Sequence, residues 1–249
     1  MKLILVSDTH LVAPGERLFG LDPLANVEAC IESINRDHAD ADLVVFAGDL
    51  TDAGAAAAYE ALAVRIGALV PPWRMTMGNH DDRSAFLAAF PDAPAENGFV
   101  QSSADFGATR VILLDTLWPG QVAGRLCEAR LAWLDRELAG ARDALVVVHH
   151  PPLAIGIPSL DETRLSDADA LLAILRRHGN VRHLFAGHVH RLSHGHWHGI
   201  PCTTLRGTNH QSALKFSGPH EVSFESPAYA IVVAAPDGFA VHFQEFPAR

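Results

Sequence analysis

The sequence predicts an α/β fold with two β-sheets in one domain spanning residues 1–249. Its first two-thirds alternate short apolar runs with stretches of helical period, the signature of βα units. From about Leu192 the chain changes to closely spaced short runs with turn residues between them, which reads as antiparallel strands. Residues 1–190 are thus βα-rich and 191–249 strand-rich. Five of the apolar runs are followed at once by polar residues able to hold a metal, as expected where an α/β sheet presents its carboxyl edge.

In order along the chain, Leu3–Val6 reads as a buried strand, Leu24–Asn35 as a helix, Leu43–Ala47 as a strand and Ala55–Ala68 as a helix. Arg74–Met77 is the next strand and Arg83–Phe90 the next helix. Val111–Leu114 precedes a helix over Glu128–Ala139, which sets Leu131, Leu134 and Leu138 on one face and stops at Gly140. Leu145–Val148 and His183–Ala186 flank a helix with Ser166 as its N-cap, Asp169 three positions on, and an end near Gly179. Thr203–Leu205, Ala228–Val233 and Phe239–Phe243 are the later strands. Pro151–Pro158 is a loop within the domain.

Composition narrows the function. The chain is 49% hydrophobic and 19% charged, ordinary for a self-folding globular protein. A formal net charge of -10 argues against long nucleic acid as a partner, which requires clustered Lys and Arg. The three cysteines, Cys30, Cys127 and Cys202, form no CxxC pair, so a reducing, cytoplasmic setting is the simplest expectation. The apolar run in MKLILVSDTH is too short for a signal peptide, and no segment approaches the length of a membrane span.

The chemistry-bearing residues are Asp8 and His10 after LILVS, Gly48-Asp49 after LVVFA, Gly78-Asn79-His80-Asp81 after RMTM, His149-His150 after ALVVV, and Gly187-His188-Val189-His190 after HLFA. Carboxylate, amide oxygen and imidazole together suit Fe, Mn, Zn or Co, and the absence of nearby Cys points away from a closed structural zinc. Two divalent ions roughly 4 Å apart activate a shared water and clamp the attacking and departing oxygens of a displacement at phosphorus. An anionic bridge between two cations is required, and Asp49 is the choice. Each Gly before Asp49, Asn79 and His188 supplies backbone freedom for a tight exit from a strand.

These five blocks, D-x-H, G-D, G-N-H-[DE], an isolated His and G-H-x-H, occur complete and in order between residues 8 and 190, and here the sequence resembles the calcineurin-like metallophosphoesterases. The resemblance implies a four-layer αββα sandwich with two mixed β-sheets. It implies that Asp8, His10, Asp49 and His190 bind one metal and Asp49, Asn79, His149 and His188 the other, with His80 an outer-sphere catalytic group and a metal-bound hydroxide as nucleophile. The pair His149-His150 before Pro151-Pro152, the segment Gly15–Gly20 and Gly207–Gln211 look like the class III cyclic-nucleotide phosphodiesterase and glycerophosphodiesterase branch. That branch implies a small phosphodiester substrate, Fe or Mn as the favoured ions, a homodimer or larger homo-oligomer, and substrate contacts from Asn79, His80, Arg17 and His210.

Other readings compete. The same metals serve a phosphomonoesterase or a phosphonate ester hydrolase, and a non-catalytic scaffold could retain the fold, although such a protein is expected to lose ligands. Asp81 is expected to cap the following helix. His150, if it continues a strand, faces away from His149 and serves as support rather than as a ligand. His194, His196 and His198 alternate and would share one face of a solvent-facing strand.

Overall fold

The computed structural model describes residues 1–235 and 238–249. The chain runs β1 (Lys2–Val6), α1 (Pro23–Asp37), β2 (Leu43–Ala47), α2 (Ala56–Ile66), β3 (Trp73–Thr76), α3 (Arg83–Ala89), β4 (Ser102–Phe106) and β5 (Thr109–Leu114). It continues through α4 (Glu128–Ala139), β6 (Asp143–Val148), α5 (Pro158–Asp161), α6 (Ala168–His178) and β7 (Val181–Ala186). The final part holds β8 (Ser193–Trp197), β9 (Ile200–Thr204), β10 (Gln211–Ser212), β11 (Val222–Ser223), β12 (Ala228–Ala235) and β13 (Gly238–Glu245).

Two mixed sheets result. One has the order β13-β12-β1-β2-β3, with β1, β2 and β3 parallel and the β12–β13 hairpin antiparallel on the free edge of β1. The other has the order β4-β5-β6-β7-β9-β8, in which β5, β6, β7 and β9 are parallel and β4 and β8 are antiparallel edges. The βα-rich part therefore builds most of the parallel centres of both sheets; the strand-rich part divides between them, β9 joining β7 in parallel where antiparallel strands were expected, and β10 and β11 form a separate two-stranded pair. Period-two patterning identifies a strand but not its neighbour.

Alternation along each strand sends side chains into two different layers. Leu3, Leu5, Val45, Val111, Val147 and Phe185 meet between the sheets. Ile4, Val44 and Phe46 pack outward against Val27, Leu62 and Phe86 of α1, α2 and α3. On the opposite side, Ile112, Val146 and Val148 pack against Leu134 of α4 and Leu171 and Leu175 of α6. The result is the expected αββα sandwich. No described helix is long and apolar enough to cross a membrane.

Local capping differs from expectation at two helices. The N-cap of α3 is Asp82, whose side chain accepts from Ala85 N at 2.8 Å, and not Asp81. The α6 helix starts at Ala168, one residue later than a Ser166 cap requires; its N-cap is Asp167, whose carboxylate accepts from Leu126 N instead of capping. Ser166 Oγ donates to Gly124 O, so tertiary contacts displaced the local capping preference. The α6 helix ends at Gly179 in the left-handed conformation, as its glycine predicts.

At the β7–β9 side, His183 is 2% exposed and stacks on Phe185. Its Nε2 pairs with the Thr203 hydroxyl at 2.8 Å, and its Nδ1 is buried without a partner. Burial, reinforced by the charges of His194 and His196, pushes its pKa down to about 4. The imidazole is neutral when folded but takes up a proton near pH 6.5 when unfolded, so this stability is present above pH 6.5 and lost as pH falls toward 4. We expect His183→Gln to reduce the pH 7 to pH 4.5 loss of unfolding free energy by about 2 to 3 kcal/mol, measured in urea; an equal loss in both proteins would place the acid sensitivity elsewhere.

Candidate metal centre

Five strands, β1, β2, β3, β6 and β7, deliver their exit loops to one end of the sandwich, and both sheets contribute. Those loops carry backbone strain. Asp8, His10, Asp49, His188 and His190 all have positive φ, between 44° and 68°. Such conformations are costly for residues with a Cβ and persist where the surroundings enforce them, typically at functional sites. Here the enforcement is a continued ladder beyond β1 and β2: Asp8 N donates to Gly48 O at 3.1 Å and His10 N to Asp49 O at 2.9 Å.

The glycines serve two different needs. Gly48 has φ 92°, and a Cβ there would lie 2.6 Å from His149 Nδ1, so conformation and close approach both demand glycine. Gly187 has no positive φ; a Cβ would run into Ser7 Oγ and Asp8 Oδ2. Its need is space rather than the freedom expected from sequence.

The side chains converge on Asp49. Asp49 Oδ2 lies 3.5 Å from His10 Nε2 and 3.2 Å from His149 Nε2, while Oδ1 accepts from His80 N at 2.9 Å. On one side, Asp8, His10, Asp49 and His190 form a buried set with ligand atoms close enough to hold one ion. His190 Nε2 is 3.0 Å from His10 Nε2 and 3.3 Å from Asp8 Oδ1. On the other side, His149, His150 and His188 form a second buried set. Asn79 Oδ1 joins it, 2.9 Å from His188 Nδ1.

Outer hydrogen bonds fix which nitrogen faces inward. His10 Nδ1–H donates to the Asp52 carboxylate at 3.1 Å, His149 Nδ1–H to Ala47 O at 2.8 Å, and His190 Nδ1–H to His210 O at 3.0 Å. Each acceptor can only accept, so Nδ1 keeps its hydrogen and Nε2 is the nitrogen turned toward the centre, the orientation a metal-binding imidazole needs. His188 Nε2 pairs with the Thr163 hydroxyl at 2.9 Å, which aims Nδ1 at Asn79.

Electrostatics within the centre call for cations. Burial would raise Asp49, but the charge of His149 outweighs it and holds the carboxyl well below the usual range. Asp8 is lowered likewise, burial being overcome by the charge of His190. Burial would lower His149, yet the charges of Asp49 and Asp8 lift it to about 9. His188 is pushed down to about 3 by burial and the charge of His149. Two buried carboxylates thus demand compensating positive charge. Asp8 Oδ2 and His149 Nε2 are buried with no hydrogen-bond partner, orphans whose donor chemistry fits divalent metal.

The remaining predicted residues divide. His80 donates Nδ1–H to Asp52 O at 2.6 Å and lines the cavity of about 300 Å³ above the centre. His210 also lines it, its Nδ1 buried without a partner and its pKa pushed down to about 2 by burial and the charge of His190. Arg17 is not among the cavity residues; it is exposed and donates to Gly20 O at 3.1 Å. Asp81 ties two metal-bearing loops together, accepting from Gly78 N, Leu50 N, Thr51 N and the Tyr59 hydroxyl. Burial and the charge of Asp49 raise it to about 6.

His150 lies beyond the end of β6, where strand alternation no longer applies, and its Nε2 is 3.2 Å from Asn79 Oδ1 and 3.0 Å from Val122 O. The β8 strand carries His194 and His196, but ends at Trp197, so His198 falls in the following turn. No metal-type group among the described residues includes these three. Sequence reasoning missed Asp52, Thr163 and His220, and placed Phe19 only within a segment expected near the substrate. Asp52 had a signal, a second carboxylate three residues after Asp49; the others reach the site from loops whose paths sequence does not reveal.

A buried carboxylate and imidazole centre at the carboxyl ends of strands from two facing sheets defines the class as a metallohydrolase-type α/β sandwich. The chain belongs to the calcineurin-like phosphoesterase family, whose model matches residues 1–192. It is 40% identical over 97% of its length, and 91% of the relative's, to a probable cyclic nucleotide phosphodiesterase of Rhodopseudomonas palustris. It is 33% identical to the 3',5'-cyclic adenosine monophosphate phosphodiesterase CpdA of Escherichia coli, covering 80% of this chain and 73% of CpdA. Identity to the glycerophosphodiester phosphodiesterase GpdQ of Enterobacter lignolyticus is 30%, over 85% and 78% of the two chains. A dimetal phosphatase from Danio rerio shares the fold, with a TM-score of 0.74 at 18% identity over 99% of this chain and 98% of that one.

Proposed function

We propose that this chain is a binuclear-metal-dependent phosphodiesterase acting on small diesters, with Fe or Mn favoured at its two sites. The observation that carries the reading is that Asp49 Oδ2 lies within 3.5 Å of His10 Nε2 and 3.2 Å of His149 Nε2, which would let one carboxylate serve both ligand sets. Asp8, His10, Asp49 and His190 would hold one ion; Asp49, Asn79, His149 and His188 the other. When bound, the two ions would supply Lewis acidity to the phosphoryl oxygens and a nucleophilic water at neutral pH.

The chain's own groups supply the rest. Asp52 positions two histidines at once, accepting from His10 through its carboxylate and from His80 through its carbonyl. With its Nδ1–H so used, His80 has Nε2 for the cavity, where, in its doubly protonated form, it is suited to hold a phosphoryl oxygen or to pass the Nε2 proton to the departing alkoxide. His210 and Asn79 line the same cavity and offer further contacts to the diester. The names of the relatives from Rhodopseudomonas, Escherichia and Enterobacter support a diester rather than a monoester.

The test is a substrate panel with added Mn(II). We expect turnover of 3',5'-cyclic nucleotides, glycerophosphodiesters and bis(p-nitrophenyl) phosphate, abolished by chelation and restored by metal. Phosphomonoesters hydrolysed faster than every diester would overturn the assignment.

A further inference from the structure

Phe19 occupies an expensive conformation beside the metal centre. It has φ 53° and precedes Gly20 at φ 82°, and the two form the tip of a two-residue turn closed by reciprocal 3.0 Å hydrogen bonds between Leu18 and Leu21. Both central residues of such a turn need positive φ, for which Asn-Gly is the favoured pair. The chain itself uses that solution elsewhere. Asn97, at φ 55°, and Gly98, at φ 79°, form the matching turn closed by 3.0 Å bonds between Glu96 and Phe99. At 19 and 20 the same geometry carries Phe instead, a bulky residue for which positive φ is an outlier. Turn formation alone does not account for it.

The ring is spent on the cavity. Phe19 is 53% exposed, yet it lines the site and meets His210 edge-on with ring centroids 4.8 Å apart. His210 in turn lies 4.5 Å from the His190 ring and 5.2 Å from that of His10. One imidazole therefore separates Phe19 from the centre that would hold the phosphoryl group. Arg17 steadies the turn by donating to Gly20 O. An exposed aromatic held under strain at the mouth of a polar site is a stacking surface in search of a planar partner.

Resting on the phosphodiesterase reading, we propose that Phe19 is a specificity-determining residue, forming one wall of a subsite for a planar aromatic group on the diester, a nucleobase. Stacking discriminates nucleotide from glycerol diesters while leaving the base itself loosely specified, because every base presents a π-face. Arg17 then acts as a positioning residue for the turn rather than as a contact to the substrate.

Phe19→Asn is the decisive variant, since Asn suits the turn and removes only the ring; Phe19→Trp restores a stacking face. With Mn(II)-loaded protein, the ratio of kcat/KM for 3',5'-cyclic AMP to that for glycerophosphoethanolamine is expected to fall about tenfold in Phe19→Asn, the loss of one base–aromatic stack, mostly through KM, and to recover in Phe19→Trp. AMP binding, read by titration calorimetry, should weaken by a similar factor, and the melting temperature of Phe19→Asn should not fall. An unchanged ratio and unchanged AMP affinity overturn the subsite even if both diesters are hydrolysed. Absence of diester turnover in the unaltered protein sinks the phosphodiesterase reading instead, while AMP affinity still reports on Phe19.

Discussion

Asp49→Ala is expected to leave neither half of the centre able to retain its ion and to lower kcat/KM for a diester by at least about a thousandfold, the several kcal/mol a metal supplies to a phosphoryl transition state. The size follows from the geometry. Asp49 is the only carboxylate within 4 Å of both His10 and His149 ring nitrogens among the described residues, at 3.5 and 3.2 Å. Two cations held at close range repel strongly in a buried site, and an anion between them is the direct remedy. Asp49 also accepts from His80 N, so its loss frees the backbone of the residue proposed to assist the leaving group. Because Ala at φ 48° adds backbone strain, Asp49→Asn is the companion variant, keeping the turn and one oxygen while removing the charge. Metal stoichiometry by elemental analysis beside steady-state kinetics is the check. Full occupancy and activity in both variants would overturn the shared-carboxylate model.

The second large effect is on stability. Asp115 is fully buried just after β5 and accepts from Arg83 in bidentate fashion, Nε and Nη2 both at 2.7 Å, with Arg130 Nη1 at 3.7 Å. It also accepts from Val100 N and Leu117 N, each at 3.0 Å. Arg83 opens α3, outside one sheet, and Arg130 lies in α4, outside the other. One carboxylate thus ties the two outer layers together. Asp115→Ala leaves Arg83 Nε and the amides of Val100 and Leu117 unpaired and removes the charge opposite Arg83, and is expected to cost about 3 to 5 kcal/mol. The corresponding fall in melting temperature is about 6 to 20 °C for a chain of this size. A drop of only a degree or two would show that water replaces the carboxylate.

Much of the centre was legible because its residues directly follow strands. A run such as LVVFA followed by Gly48-Asp49 combines two local signals, burial and an abrupt polar turn, and local signals survive in sequence. The bounds of α4 emerge unchanged for the same reason, with Leu134 and Leu138 on the buried face and Gly140 at the end. Asp81 and Asp82 are adjacent and equally good caps, so choosing between them required the backbone amides of Leu50 and Thr51, thirty-odd residues away, that claim Asp81. His150 depended on where β6 stops. The β4 strand, Ser102–Phe106, went unrecognised because its polar, half-exposed pattern has little apolar alternation to detect.

By itself, then, the sequence determined the α/β class, the positions of the buried strands and the metal-capable residues at their carboxyl ends, since each depends on side-chain type and short-range periodicity. Only the tertiary structure decided that β12 and β13 return to β1 while β8 and β9 join β7, that Asp52 orients two histidines, and that Phe19 rather than Arg17 reaches the cavity. Those outcomes depend on which distant segments become neighbours. Strand pairing, outer hydrogen bonds and the aim of a loop are settled by the competition of all segments for burial and for hydrogen-bond partners, a competition no local stretch of sequence records.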